Sequence, residues 1–124
     1  MNALNITNLL LQQLTNGSYE TCRNLFSENA IIIAPAGQLT AEIFLKNFYA
    51  DNIKVNVTLF DIFPSSNQNT CAAHLQLEEH KVNGIVITFT CAAILENNHD
   101  KIEKLTIIFD TYPTRSKFPE LFLA

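Results

Sequence analysis

The chain predicts an α+β domain in which three helices near the N-terminus pack on a curved, mainly antiparallel sheet. Three observations carry that prediction. Over much of the chain up to Tyr49 apolar residues recur at helical spacing, and from Ile53 onward the period changes to two. The segments with the second period are separated by turn signals, Asn83-Gly84 the strongest of them. The length, 124 residues with 48% hydrophobic side chains, fits a single compact domain over residues 1–124.

Leu4, Leu9, Leu10, Leu11 and Leu14 predict the first helix, which Asn16-Gly17 closes in the manner of a C-cap. Ser18 then caps a second helix over Tyr19 to Ser27, with Cys22, Leu25 and Phe26 on one face. Ala30 to Ala34 is a short β-branched run stopped by Pro35 and Gly37, hence a strand and a turn. Thr40 begins a third helix, whose apolar stripe is Ile43, Phe44, Phe48 and Tyr49. Four strands follow, over Ile53–Phe63, Cys71–Lys81, Ile85–Glu96 and Lys101–Tyr112. The tail from Pro113 carries Phe118, Leu121 and Phe122 and is expected to dock on the domain.

Strand register decides which side chains meet the helices. A two-residue turn at Asn83-Gly84 pairs Leu75 with Ala92 and Leu77 with Thr90. A four-residue turn at Asn97-Asn98-His99-Asp100 then pairs Ala92 with Leu105 and Thr90 with Ile107. One face carries Ala73, Leu75, Leu77, Glu79, Val86, Thr88, Thr90, Ala92, Ile94, Leu105, Ile107 and Phe109, and is taken as concave. The opposite face mixes His74, Gln76, Glu78, His80, Lys104, Thr106 and Asp110 with Ile87, Phe89, Cys91, Leu95 and Ile108. So much apolar surface on an outer face predicts a homodimer through it. A three-residue bulged turn at Val82-Asn83-Gly84 is the alternative, and it shifts the register by one.

Eight Lys/Arg against twelve Asp/Glu give a net charge of −4, and the cations are scattered, so nucleic acid is not an expected partner. No apolar segment approaches the ~18–20 residues of a membrane span, and no basic stretch precedes the N-terminal Leu run. A cytoplasmic location is expected. Cys22, Cys71 and Cys91 are odd in number and lack metal-ligand spacing, so they read as small buried hydrophobes. His74, Glu78 and His80 alternate along one strand, but the ~6–7 Å between alternate positions is wide for one ion, and no metal is expected. The chain has no Gly-rich phosphate loop or nucleophile elbow, and no cofactor is expected.

Asn16-Gly17-Ser18, the run Leu25 to Ala30, Pro35-Ala36-Gly37 and Lys101-Ile102 stand in an order that resembles the nuclear transport factor 2-like superfamily, specifically its SnoaL-like branch. The resemblance implies a cystatin-like cone with a pocket between helices and sheet, in a superfamily of isomerases, dehydratases, epoxide hydrolases, cyclases and binding modules. Ketosteroid isomerases in it place a general base just before Pro-x-Gly, where this chain has Ala34. Their oxyanion-hole donors match Leu10 and Ala92. All three residues are apolar here, so that dienolate chemistry has no support, but the match implies that Leu10, Ala34 and Ala92 line a pocket. SnoaL-like cyclases often have an Asp nine residues after the Lys that opens the last strand, and Asp110 stands at that distance from Lys101, while their usual Trp is replaced by Thr106.

Two functions from different classes follow, with a third behind them. The first is binding of a small apolar molecule by Leu10, Ala34, Leu75, Leu77, Thr88, Thr90, Ala92, Leu105, Ile107 and Phe109. The second is a lyase or isomerase that uses Asp110 as general acid/base, which requires the carboxylate to reach its substrate. Strand alternation puts Asp110 on the opposite side from Leu105, Ile107 and Phe109. Glu79 falls on the concave face near the hairpin tip and is expected at a solvated rim. The third function is a dimeric interaction domain with a filled core and no ligand.

Overall fold

The computed structural model describes residues 2–50, 53–81 and 83–110. Helix α1 (Ala3–Asn16) begins where Asn2 Oδ1 accepts from the Asn5 amide at 2.9 Å. It buries Ala3, Ile6, Thr7 and Leu10, the three-four spacing of one helical face. Gly17 follows with an extended backbone, φ −101°, rather than the left-handed conformation expected of a C-cap. What requires glycine there is space. A Cβ on Gly17 would lie 2.3 Å from Gln13 Oε1, 2.5 Å from Thr21 Oγ1 and 2.7 Å from the Gln13 carbonyl oxygen.

Ser18 caps α2 (Tyr19–Arg23) in a reciprocal arrangement with Thr21. The helix is one turn long and stops short of the expected Ser27. Arg23 explains the stop: its guanidinium donates to the carbonyls of Phe26, Ser27 and Glu28, holding the chain extended. Strand β1 (Phe26–Ala34) starts there and turns back through Pro35-Ala36 into β2 (Gly37–Thr40), a strand that the sequence had shown only as a turn. Gly37, at φ +136°, makes that reversal possible. Thr40 ends β2 and caps α3 (Ala41–Phe48), accepting from the Ile43 amide at 3.2 Å.

Strands β3 (Ile53–Pro64), β4 (Thr70–Lys81), β5 (Val86–Asn98) and β6 (Lys101–Phe109) complete a six-stranded sheet in the order β2-β1-β6-β5-β4-β3. All neighbours are antiparallel except β1 and β6, which run parallel. The main core joins Ile6 and Leu10 of α1, Cys22 of α2, Leu45 of α3 and Ile32, Leu95, Ile102 and Leu105 of the sheet. Among the described residues no helix is long and apolar enough to cross a membrane. The expected tail contacts of Phe118, Leu121 and Phe122 lie outside the described residues.

Both long turns differ from the first-choice register. Leu75 pairs with Cys91 and Leu77 with Phe89, as a three-residue turn between Lys81 and Ile85 requires. The Gly84 amide donates to the Lys81 carbonyl at 3.1 Å, and Gly84 itself has φ +83°. This is the bulged alternative. At the next turn Asn98 pairs with Lys101 across His99-Asp100, and a bulge between Glu96 and Asn97 resets the pairing so that Leu95 faces Leu105. His99 takes the positive φ of +55° that this tight turn needs.

Each of these changes moves the register by an odd number of residues, so each exchanges the faces of the strand beyond it. Strand β5 is therefore inverted from the expectation, while β6 is inverted twice and keeps its expected face. Ile87, Phe89, Cys91 and Leu95 point toward the helices, and Thr88, Thr90, Ala92 and Ile94 occupy the outer face.

Candidate functional site

A cavity of about 440 Å³ lies between the helices and the inner sheet face. Leu10, Leu11 and Leu14 of α1 form one side, and Phe44, Asn47 and Phe48 of α3 another. Ala34 and Leu39 close it at the β1–β2 hairpin. The floor is the inner face of β3 to β6, including Val55, Val57, Leu75, Leu77, Phe89, Cys91, Ala93, Leu105, Ile107 and Phe109. Small residues explain why space remains: Ala34, Ala36, Cys91 and Ala93 leave room that larger side chains would fill. Phe89 and Phe109 pack with ring centroids 4.8 Å apart on adjacent strands.

Seven of the expected lining residues meet here: Leu10, Ala34, Leu75, Leu77, Leu105, Ile107 and Phe109. Thr88, Thr90 and Ala92 do not. They lie on the outer face because β5 is inverted, and their places are taken by Phe89, Cys91 and Ala93. The signal that finds these three in the sequence is Gly84, if it is read as the bulge position of a three-residue turn. Phe44 and Phe48 belong to the apolar stripe already visible in the third helix, but nothing in the sequence tied that stripe to the cavity.

Asp110 is exposed and does not line this cavity. Together with Thr88, Phe89 and Thr90 it borders a separate open depression of about 360 Å³. A proton-transfer group must reach its substrate directly or through one water, and Asp110 is not among the residues that line the apolar cavity.

Among the described residues, Glu79 is the charged side chain on the cavity wall. It stands between Val55 and Ile87 on the neighbouring strands, with Oε2 3.1 Å from Lys81 Nζ. The carboxylate side chain keeps 27% of its exposure and the lysine 21%, so this pair is less solvated than the expected rim residue. The Cys91 thiol also lines the wall, and burial pushes its pKa up to about 11, which keeps it protonated and poorly nucleophilic at neutral pH.

Elsewhere, Tyr49 at the end of α3 joins the three helices. Its hydroxyl lies 3.0 Å from the Gln13 carbonyl oxygen, 3.3 Å from that of Leu14 and 3.2 Å from Cys22 Sγ. Burial raises both the Tyr49 and Cys22 pKa values, so both groups stay protonated. On the outer face Glu78 accepts from His80 Nε2 at 2.5 Å, and His74 stacks near Phe60 with centroids 5.2 Å apart. Among the described residues no three His, Cys, Asp or Glu side chains cluster as metal ligands would.

No protein-family model matches the chain, and no match to a curated protein was found. Solved structures are similar over nearly the whole length. A Δ5-3-ketosteroid isomerase from Mycobacterium sp. is 19% identical, with 91% of this chain and 97% of the other covered at a TM-score of 0.77. An LEH-like epoxide hydrolase from M. tuberculosis is 10% identical over 94% and 88%, with a TM-score of 0.76. A nuclear transport factor 2-like protein of unknown function from Cytophaga hutchinsonii is 15% identical over 88% and 90%, with a TM-score of 0.73. The isomerase and the epoxide hydrolase differ in named activity, and all three neighbours agree in architecture: the chain has the nuclear transport factor 2-like fold.

Proposed function

We propose that this protein binds a small, largely apolar molecule in the cavity between its helices and its sheet. The observation that carries the reading is the cavity itself, about 440 Å³ walled by Leu, Ile, Val, Ala and Phe side chains. That volume is in the range of ~300–1,000 Å³ usual for small-molecule sites. An apolar void of this size forfeits dispersion contacts that a filled core would have, and a bound molecule restores them. Catalysis is not part of the reading. The positions that resemble the isomerase base and one donor are Ala34 and Leu10, the thiol on the wall is protonated, and Asp110 is exposed and does not line the cavity.

A methyl NMR titration with naphthalene tests the proposal. Shifts are expected at Leu75, Leu77 and Ile107 and not at Ile108, which is 55% exposed on the outer face. Saturating naphthalene that leaves the first three unchanged overturns it.

We also propose a homodimer through the outer sheet face. Ile87, Phe89, Cys91 and Leu95 turn inward and contribute nothing to that face. The support that remains is Phe60, Phe63, Val86 and Ile108, which are 47%, 59%, 40% and 55% exposed. Apolar surface of that kind is what a second copy would cover. Native mass spectrometry is expected to give the mass of two chains, and a strictly monomeric mass ends this proposal. The three buried cysteines are free thiols, which fits the reducing cytoplasm, where we place the protein.

A further inference from the structure

A carboxylate in an apolar wall calls for an explanation beyond solvation. Glu79 belongs to the inner row of β4 that begins Cys71, Ala73, Leu75, Leu77, and its strand partners are Val55 and Ile87, the latter 1% exposed. A fifth apolar residue there would extend the core at no desolvation cost, whereas a partly buried charge is retained only with partners. One partner is present. Lys81 Nζ lies 3.1 Å from Oε2, while Oε1 has no hydrogen-bond partner among the described residues. Among the described residues, the uncharged side-chain amide on the wall is that of Asn47, on α3.

We propose that Glu79 is the polar anchor of the cavity and selects neutral molecules that carry a hydroxyl at one end of an apolar body. This deepens the ligand-binding reading and rests on it. The choice of hydroxyl follows from the charges already present. A ligand cation reaching Oε1 would also meet the Lys81 ammonium, and a ligand anion would meet the carboxylate itself. A neutral O–H donates to Oε1 without bringing a charge out of water, and a carboxylate can only accept. The Glu79–Lys81 pair stays intact in that arrangement, so binding breaks no existing interaction. The apolar body then lies along Leu77, Phe89 and Ile107, away from the hairpin.

Naphthalene and 2-naphthol form a matched pair for the test, since they share the ring system and differ by one hydroxyl. Their affinities are measured at pH 7 by calorimetry on the full chain and on the variants Glu79→Leu and Glu79→Gln. The native protein is expected to prefer 2-naphthol by about tenfold or more, the order of one hydrogen bond to a charged acceptor. In Glu79→Leu the preference for 2-naphthol over naphthalene is expected to vanish. Glu79→Gln, which keeps an acceptor oxygen and nearly the same shape, is expected to hold an intermediate preference and guards against misfolding of the leucine variant. Equal affinities in the native protein, or a preference that survives Glu79→Leu, overturns the anchor while leaving the cavity reading in place. Failure of both compounds to bind the native protein overturns both.

Discussion

Filling the cavity is expected to stabilise the protein and abolish binding together. Ala93 lies on the cavity floor between Ala73 and Ile107 on the adjacent strands, and its Cβ points into the void. Ala93→Leu adds three carbons, each giving about 0.8 kcal/mol if fully buried against apolar surface. Packing strain reduces that ideal, and cavity-filling substitutions commonly yield about 0.5–2 kcal/mol. For a chain of this length about 1 kcal/mol corresponds to roughly 4 °C in Tm, so a rise of about 2–8 °C is expected. The chain has no tryptophan, and the transition is best followed by circular dichroism. Naphthalene affinity, measured on the same samples, is expected to fall by at least about tenfold. Thr88→Val supplies the contrast. Thr88 is exposed on the outer face, so its replacement is expected to change stability by no more than about 0.5 kcal/mol and to leave naphthalene binding alone. Loss of more than about 1 kcal/mol in Ala93→Leu, or weakened binding in Thr88→Val, refutes the register of β5 and with it the placement of the cavity wall.

Three further perturbations probe the scaffold and its charges. Tyr49→Phe removes the hydroxyl that serves the last carbonyls of α1, and unfolding in urea should show a loss of about 1–3 kcal/mol; an unchanged midpoint contradicts the clamp. Gly17→Ala places a Cβ against Gln13 and the Thr21 hydroxyl, so a lower Tm is expected even though the Gly17 backbone is one that alanine can adopt. A neutral or raised Tm shows that the α1–α2 corner yields easily. The hydrogen bond from His80, with a second from Asn56, holds the Glu78 pKa below its ordinary 4.5. A depressed carboxylate contributes stability that is present above its unfolded pKa and is lost as pH falls through the folded one. Urea midpoints measured from pH 6 to pH 3 should therefore drop less steeply below about pH 4.5 in Glu78→Gln than in the native protein, and parallel curves contradict the pairing.

Local signals carried the fold far. Ser18 and Thr40 cap helices as their positions before apolar stripes imply, because an N-cap depends on a few neighbouring residues only. The four long strands were visible in the change of period. The β1–β2 hairpin and the parallel β1–β6 pairing were not, since Gly37 to Thr40 is too short for a period and a parallel neighbour leaves no turn to read. The site was legible to the extent that register was. Leu75, Leu77, Leu105, Ile107 and Phe109 sit on strands whose faces came out as expected, although β6 did so through two odd shifts that cancel. Thr88, Thr90 and Ala92 failed together, because one extra residue in one turn moves a whole strand. Asp110 shows the same dependence from the other side: its distance from Lys101 resembles that of an acid/base group, but it is exposed, borders the open depression with Thr88, Phe89 and Thr90, and does not line the apolar cavity.

The central claim is that the space between α1, α3 and the inner sheet face accepts a small apolar molecule. A crystal structure of the protein grown with naphthalene tests it most directly. The account predicts ring density between Leu77, Phe89 and Ile107, with Asp110 and Thr88 uninvolved. Density confined to the outer face, or a cavity closed by its own side chains with no molecule inside, contradicts it.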